Sequence, residues 1–279
     1  MKKMIVTDLD NTLYDWVSFY AQSFDAMLTE LEVILNVPRK ELIQDFKKVH
    51  VKHGNSEYPF AALELDCVKR RFPNLTIDEI NEKLDQAFHA FNSTRKRSLV
   101  CYPDVHDTLS KLKAMGVVIV GHTEAPIRNA IFRLEKLDLI KYMKHLYSPQ
   151  DRYHEDLNES SKRWIESYGD FIFKLDEKER KPNPSLLLDI CFREGVDPKD
   201  VIYVGDSLVK DIAMANKAGV DSVFASYGKQ HEKKYWDILV SITHWSESDV
   251  ARESKLKEIY AHEKPAHTIN KFSDLLGVI

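Results

Sequence analysis

Apolar residues fall into short unbroken runs in one part of the chain and recur at helical spacing in another. Residues 4–6 ("MIV"), 117–120 ("VVIV"), 201–204 ("VIYV") and 223–225 ("VFA") contain no polar alternation. Runs of this kind read as strands buried on both faces. Helical patterns separate them. Residues 104–115 sit between Pro103 and Gly116, and "IRNAIFRLEKL" follows Pro126. "PSLLLDICFREG" has Pro184 early and Gly195 at its end, and "LVKDIAMANKAG" closes on Gly219. A proline at the start and a glycine at the stop are helix boundary signals. Strands spaced by single helices predict an α/β fold: a Rossmann-like, doubly wound parallel sheet covered on both faces.

Residues 16–98 break this alternation. "WVSFYAQSFDAMLTELEVIL" has helical periodicity, "PRKELIQDFKKVHVKHG" runs from a proline to a glycine, and Thr76 with Glu79 has capping-box spacing. No strand is predicted there. The chain therefore divides into a core of residues 1–15 and 99–279 and an inserted all-helical cap of residues 16–98, expected over the carboxyl end of the sheet. Trp16, Phe19, Tyr20 and Phe24 read as cap core, and Tyr14 and Trp16 mark the point of entry. His50 and His53 lie one turn apart on a helix and read as surface or packing residues, since no third metal ligand accompanies them. Two stretches exceed a minimal alternating fold: Gln150–Glu179 and Lys229–Lys264.

Composition narrows the function. The 279 residues are 43% hydrophobic and 30% charged, with a net charge of −4. No global basic field points to nucleic acid, and the short basic runs Lys69–Arg71 and Arg95–Arg97 read as solvated helix faces. Cys67, Cys101 and Cys191 lie far apart and form no metal or disulfide framework. No stretch has transmembrane length, and the apolar run near Met1 is short for a signal peptide, so a cytoplasmic protein with no membrane partner is expected.

In an open parallel sheet, ligands bind beyond the carboxyl ends of the strands. Asp8 and Asp10, then Thr12, follow the first strand. Thr123 follows the second, Asp206 follows "VIYVG" with Asp211 just beyond, and Lys181 precedes "PNPSLLL". Carboxylates this close repel one another and are costly to desolvate unless a cation or proton joins them. Phosphoryl transfer accounts for the set. Asp8 and Asp206 offer hard oxygens to Mg²⁺, and Lys181 helps neutralise an incoming phosphate. Asp8 can attack phosphorus. Asp10 can protonate the leaving alcohol and then deprotonate water. Thr123 can hydrogen-bond a phosphoryl oxygen, and Thr12 reads as a turn residue.

The sequence D-x-D-x-T-L at Asp8–Leu13, a strand ending in Thr123, Lys181 before a proline, and G-D-S-x-x-x-D-I at Gly205–Ile212 resemble the four motifs of the haloacid dehalogenase superfamily, in its order. The helical insert resembles the family's first type of cap. The resemblance implies Asp8 as nucleophile and Asp10 as acid/base, the second aspartate marking the phosphatase and phosphomutase branches. It implies a Mg²⁺ held by Asp8, the main-chain carbonyl of Asp10, and Asp206, with Asp211 bound directly or one step removed. The chain departs from the pattern at Glu124, where a small polar residue is common, and in the length of residues 150–179. The expected activity is Mg²⁺-dependent hydrolysis of a small-molecule phosphomonoester. A phosphomutase, or a non-catalytic regulatory module on the same scaffold, is the alternative.

Overall fold

The computed structural model describes residues 1–279 except 59, 152, 153, 155, 156, 177, 178, 244–246 and 261, and the backbone alone at 247–250 and 253. The chain forms two units, one of Met1–Asp15, Val100–Gln230 and Lys257–Ile279, the other of Trp16–Leu99 and His231–Leu256.

The second unit is helical. It contains α1 (Trp16–Leu35), α2 (Arg39–His53), α3 (Ala61–Glu64), α4 (Asp66–Arg71) and α5 (Ile77–Ser98). Phe19, Phe24, Leu28 and Leu31 of α1 are buried, and the Phe24 ring meets Phe46 of α2 edge-on at 4.7 Å. Each such side chain removed from water contributes about 1.5–3 kcal/mol. The Thr76–Glu79 capping box forms as the spacing predicts. Glu79 N–H donates to Thr76 Oγ1 at 3.3 Å, and Thr76 N–H donates to Glu79 Oε2 at 2.8 Å. Two histidines are packing residues: His50 Nδ1 lies 2.7 Å from Ile242 O, and His53 stacks on Tyr58 and meets Glu64 at 2.8 Å. The division differs from the sequence reading at two places. Leu99 and residues 231–256, assigned there to the core, belong to this unit. The helix Lys233–Ile242 buries Leu239 and Ile242, and its "YWDILVSI" pattern is amphipathic.

The first unit is a seven-stranded parallel sheet in the order β4-β3-β2-β1-β5-β6-β7. Its strands are β1 (Met4–Thr7), β2 (Val118–His122), β3 (His145–Pro149), β4 (Ile172–Leu175), β5 (Val201–Gly205), β6 (Asp221–Ala225) and β7 (His267–Ile269). Every residue of β1 and β5 is buried, as expected for strands covered on both faces. Helices α6 (Val105–Ala114), α7 (Ile127–Lys136), α8 (Glu159–Glu166), α9 (Pro184–Glu194) and α10 (Ala213–Lys217) connect them. Strands β3 and β4 carry no unbroken apolar run. The run "HLYSP" in β3 mixes polar residues with apolar ones. The edge strand β4 lies within Gln150–Glu179, the stretch read as an addition, and it extends the sheet. No helix of the described residues is long and apolar enough to cross a membrane.

From β1 the chain winds out through β2, β3 and β4, then returns to β5 on the other side of β1. The strand order therefore reverses between β1 and β5. That switch point opens a crevice at the carboxyl ends of both strands.

Candidate active site

Asp8 directly follows β1, and its N–H donates to Val204 O of β5 at 2.9 Å. Asp206 directly follows β5. One carboxylate oxygen from each of Asp8, Asp206 and Asp211 lies within 4.8 Å of the others, and all three residues are buried. Asp211 reaches this point through a local departure from α-helical geometry. Residues Leu208–Ile212 form a π-helical turn capped by Ser207, a distortion often found at functional sites. The turn folds the Asp211 side chain back over the end of β5, where Ser207 N–H donates to its Oδ2 at 3.0 Å. Gly205 makes room for it: a Cβ there would lie 2.4 Å from Asp211 Cγ. The sequence pattern alone implies a regular helix at Asp211.

Lys181 is 2% exposed, and its Nζ donates to Asp8 Oδ1 at 2.5 Å and to Asp211 Oδ1 at 2.9 Å. A lone buried ammonium would be driven to neutrality, but here the charges of Asp211 and Asp8 overcome desolvation and push its pKa well up. Asp8 is pushed the other way from an ordinary ionised carboxylate. Burial raises its pKa, Lys181 opposes, and the charges of Asp211 and Asp206 add to the rise. Burial likewise raises Asp206, against the pull of Lys229, whose Nζ lies 3.1 Å from Asp206 Oδ2. Two lysines therefore face three carboxylates. One further positive charge, or a proton, is needed to balance them.

The candidate residues do not all converge. Asp10 lies outside the group of three. Its carboxylate accepts from Arg133 Nη1 at 2.9 and 3.1 Å. Its side chain is therefore not a fourth member of the acid cluster. Asn11 takes a left-handed φ of 57° in the turn that follows, a conformation asparagine tolerates. Thr12 is buried in that turn, and its hydroxyl donates to Asp8 Oδ2 at 3.4 Å. Thr123 follows β2, the strand next to β1, and is 2% exposed; its Oγ1 accepts from Ala125 N–H at 3.0 Å.

Four other groups at this rim have no role in the motif pattern. Arg133 is an arginine on the buried face of α7, one position before Leu134. That is its only trace in the sequence. Lys229 follows β6, and the loop before it runs so tightly that a Cβ on Gly228 would meet Asn11 O at 2.1 Å. Glu124 accepts from Lys181 N–H at 3.1 Å and pairs with Lys210 at 2.7 Å. Burial pushes the Glu124 carboxyl up, but Lys210 and Lys181 outweigh it and hold it below its usual range. His122, beside Tyr203 OH at 3.2 Å, has its pKa driven well down by burial and by the charge of Lys181.

Three comparisons bear on this crevice. The family model described as haloacid dehalogenase-like hydrolase matches residues 2–219. Over 235 residues the chain is 28% identical to glyceraldehyde 3-phosphate phosphatase of Methanopyrus kandleri, covering 83% of this chain and 87% of that one. Over 232 residues it is 27% identical to a phosphoglycolate phosphatase of Pseudomonas savastanoi pv. phaseolicola, covering 83% and 72%. The fold is shared with the crystal structure of 2-haloacid dehalogenase from Pseudomonas syringae pv. Tomato DC3000, at a TM-score of 0.57 and 20% identity, covering 100% of this chain and 98% of that one. With the matched region spanning β1 through α10 and including Asp8, Thr123, Lys181 and Asp206, the chain belongs to the haloacid dehalogenase-like hydrolases.

Proposed function

We propose that this hydrolase is a phosphatase of small phosphomonoesters that works through an aspartyl-phosphate on Asp8. The observation that carries the reading is the Lys181 bridge between Asp8 and Asp211 beside Asp206. It orients one Asp8 oxygen and leaves the acid group short of positive charge, which suits a dianionic substrate arriving with a divalent cation. The relatives named glyceraldehyde 3-phosphate phosphatase and phosphoglycolate phosphatase support a substrate of two or three carbons.

The donor set fits Mg²⁺, which takes hard carboxylate oxygens. Asp8, Asp206, Asp211 and the main-chain carbonyl of Asp10 are the groups that would hold it. When bound, it supplies charge neutralisation for the phosphoryl oxygens. Asp8 attacks phosphorus as the ester P–O bond breaks, and Asp10, protonated from solvent through its exposed side when the dianionic substrate binds, gives that proton to the departing oxygen. Asp10 then takes a proton from water as the water oxygen bonds to phosphorus and the Asp8–phosphorus bond breaks, releasing inorganic phosphate. Lys181 keeps Asp8 oriented and offsets charge on the transferring group. The Thr123 hydroxyl, accepting from Ala125 N–H, has its own proton to donate to a phosphoryl oxygen.

The test is phosphate release from a panel of phosphorylated metabolites, with and without Mg²⁺, for wild type and Asp8→Asn. Metal-dependent release abolished by the substitution is expected. Absence of release from every member, or isomerised product without free phosphate, would overturn the reading.

A further inference from the structure

Arg133 is the largest fully buried side chain of the described residues, 2% exposed, and no step above uses it. A buried guanidinium is costly unless paired, and it cannot shed its proton. Its partner is a residue 123 positions away: Nη1 reaches both carboxylate oxygens of Asp10, at 2.9 and 3.1 Å. The stem of Arg133 is fixed because Ala130, Ile131 and Leu134 around it on α7 are all buried. Tyr14 closes another side of Asp10. It has no exposed surface, bridges to Asp10 through the backbone, and its phenol is pushed well up in pKa by burial and by the Asp10 charge. The Asp10 side chain nevertheless stays 26% exposed.

The two acids of the D-x-D sequence therefore have different cations. Asp8 is held by Lys181 and Asp10 by Arg133. Two residues apart, carboxylates at a strand end tend to point to the same side. The carboxyl of Asp10, close to an acid group short of positive charge, would otherwise be drawn in as another cation ligand. Arg133 counters that pull with a fixed partner on the opposite element.

We propose that Arg133 is a positioning residue for Asp10. Its buried guanidinium keeps the Asp10 carboxyl out of the Asp8–Asp206–Asp211 group and aimed at the oxygen that leaves phosphorus. This rests on Asp10 being the proton carrier of the proposed reaction. It predicts a defect that depends on how much the leaving oxygen needs a proton. p-Nitrophenolate departs with little help, and an alkoxide requires it.

The experiment compares kcat/KM for p-nitrophenyl, phenyl and ethyl phosphate in wild type, R133M, R133K and D10N. kcat/KM covers the steps up to departure of the alcohol and leaves out hydrolysis of the phosphoenzyme. In R133M, ethyl phosphate should lose about 30-fold or more and p-nitrophenyl phosphate less than about threefold, within the range of general acid catalysis. Competitive inhibition by inorganic phosphate should be unchanged. R133K, which keeps the charge on a shorter side chain that cannot place a nitrogen where Nη1 stands, should fall between R133M and wild type. A uniform loss across the three esters, or no loss, would overturn the proposal. If R133M does not fold, R133K carries the test alone, and a wild-type pattern in it overturns the proposal. D10N separates the two readings. If D10N discriminates among the esters and R133M and R133K do not, only the positioning role fails. If D10N does not discriminate, the acid/base role of Asp10 fails.

Discussion

Two of the buried carboxylates in the sheet unit, Glu194 and Asp8, are accommodated in opposite ways. Glu194, at the end of α9, has no exposed side-chain surface. His145 at the start of β3 lies 2.6 Å away, the Tyr147 hydroxyl donates at 2.9 Å, and the Lys144 ammonium lies 2.9 Å from its second oxygen. Burial pushes its pKa up, but these three partners outweigh burial and hold it below its ordinary value. Asp8, at the other end of the strands, has a raised pKa despite Lys181, because burial is joined by the crowding charges of Asp211 and Asp206. Around one carboxylate the hydrogen-bonding partners outweigh burial, and around the other burial and neighbouring acids outweigh the single lysine. A satisfied group stabilises the fold and binds nothing further. An unsatisfied one costs stability and creates affinity for a cation and a dianion.

The largest effects expected are those that would break this contrast. Asp8→Asn should lower phosphate release by at least about a thousandfold, roughly 4 kcal/mol of barrier, while the metal-free protein melts no lower than wild type, because one crowding charge is gone. Stopped-assay phosphate release and a thermal scan in chelator check both halves. A lower midpoint in Asp8→Asn would mean that the acid group is structural. Glu194→Gln should do the reverse. It should lose about 1–3 kcal/mol by leaving the partners of a buried carboxyl imperfectly satisfied, or roughly 2–12 °C in thermal midpoint, with kcat/KM unchanged within twofold.

The contrast also explains what the sequence reveals. The acids and Lys181 stand immediately beside strong local signals: unbroken apolar runs and prolines that fix where each strand or helix ends. Those signals suffice to assign Asp8, Thr123, Lys181 and Asp206 to one rim. Glu194 and Arg133 carry no sign of their partners. Glu194 is the last residue of one helix and Arg133 lies inside another, each near ordinary charged residues, and only the fold brings the one to His145 and the other to Asp10. The strands β3 and β4 are hidden for a related reason. Their side chains meet charged or aromatic partners rather than a purely apolar layer: Tyr147 and Phe173 stack at 4.8 Å, and Arg193 lies over Phe173. The resulting pattern does not look like a buried strand. Chain order alone puts residues 231–256 in the core, whereas Ile242 O meets His50 in the helical unit.

A sharper form of the comparison uses the cation itself. At a free Mg²⁺ concentration of 100 times its dissociation constant, the folded protein should gain about 2.7 kcal/mol. Asp211→Asn should reduce that gain, and Glu194→Gln should leave it intact. Gly205→Ala is the more exacting variant because it removes no carboxylate. Its methyl would stand 2.4 Å from Asp211 Cγ and must push that side chain off the end of β5. Isothermal titration with Mg²⁺ reads the result. Unchanged affinity in both Gly205→Ala and Asp211→Asn would remove Asp211 from the cation site.

The smallest effect expected is the pH dependence of Glu194. Its folded pKa lies below the unfolded one, so between the two values the unfolded chain binds more protons than the folded protein. Stability therefore rises with pH across that window. The contribution is fully present above the ordinary glutamate value of about 4.3 and is lost as pH falls toward the depressed one. Denaturation of wild type and Glu194→Gln across this range should converge as the pH drops, because the wild type loses the charge that the variant never had. The two curves stay parallel if Lys144 and Tyr147 hold the neutral carboxyl as firmly as the ionised one. In that event, it is hydrogen bonding rather than charge that distinguishes this site from the one around Asp8.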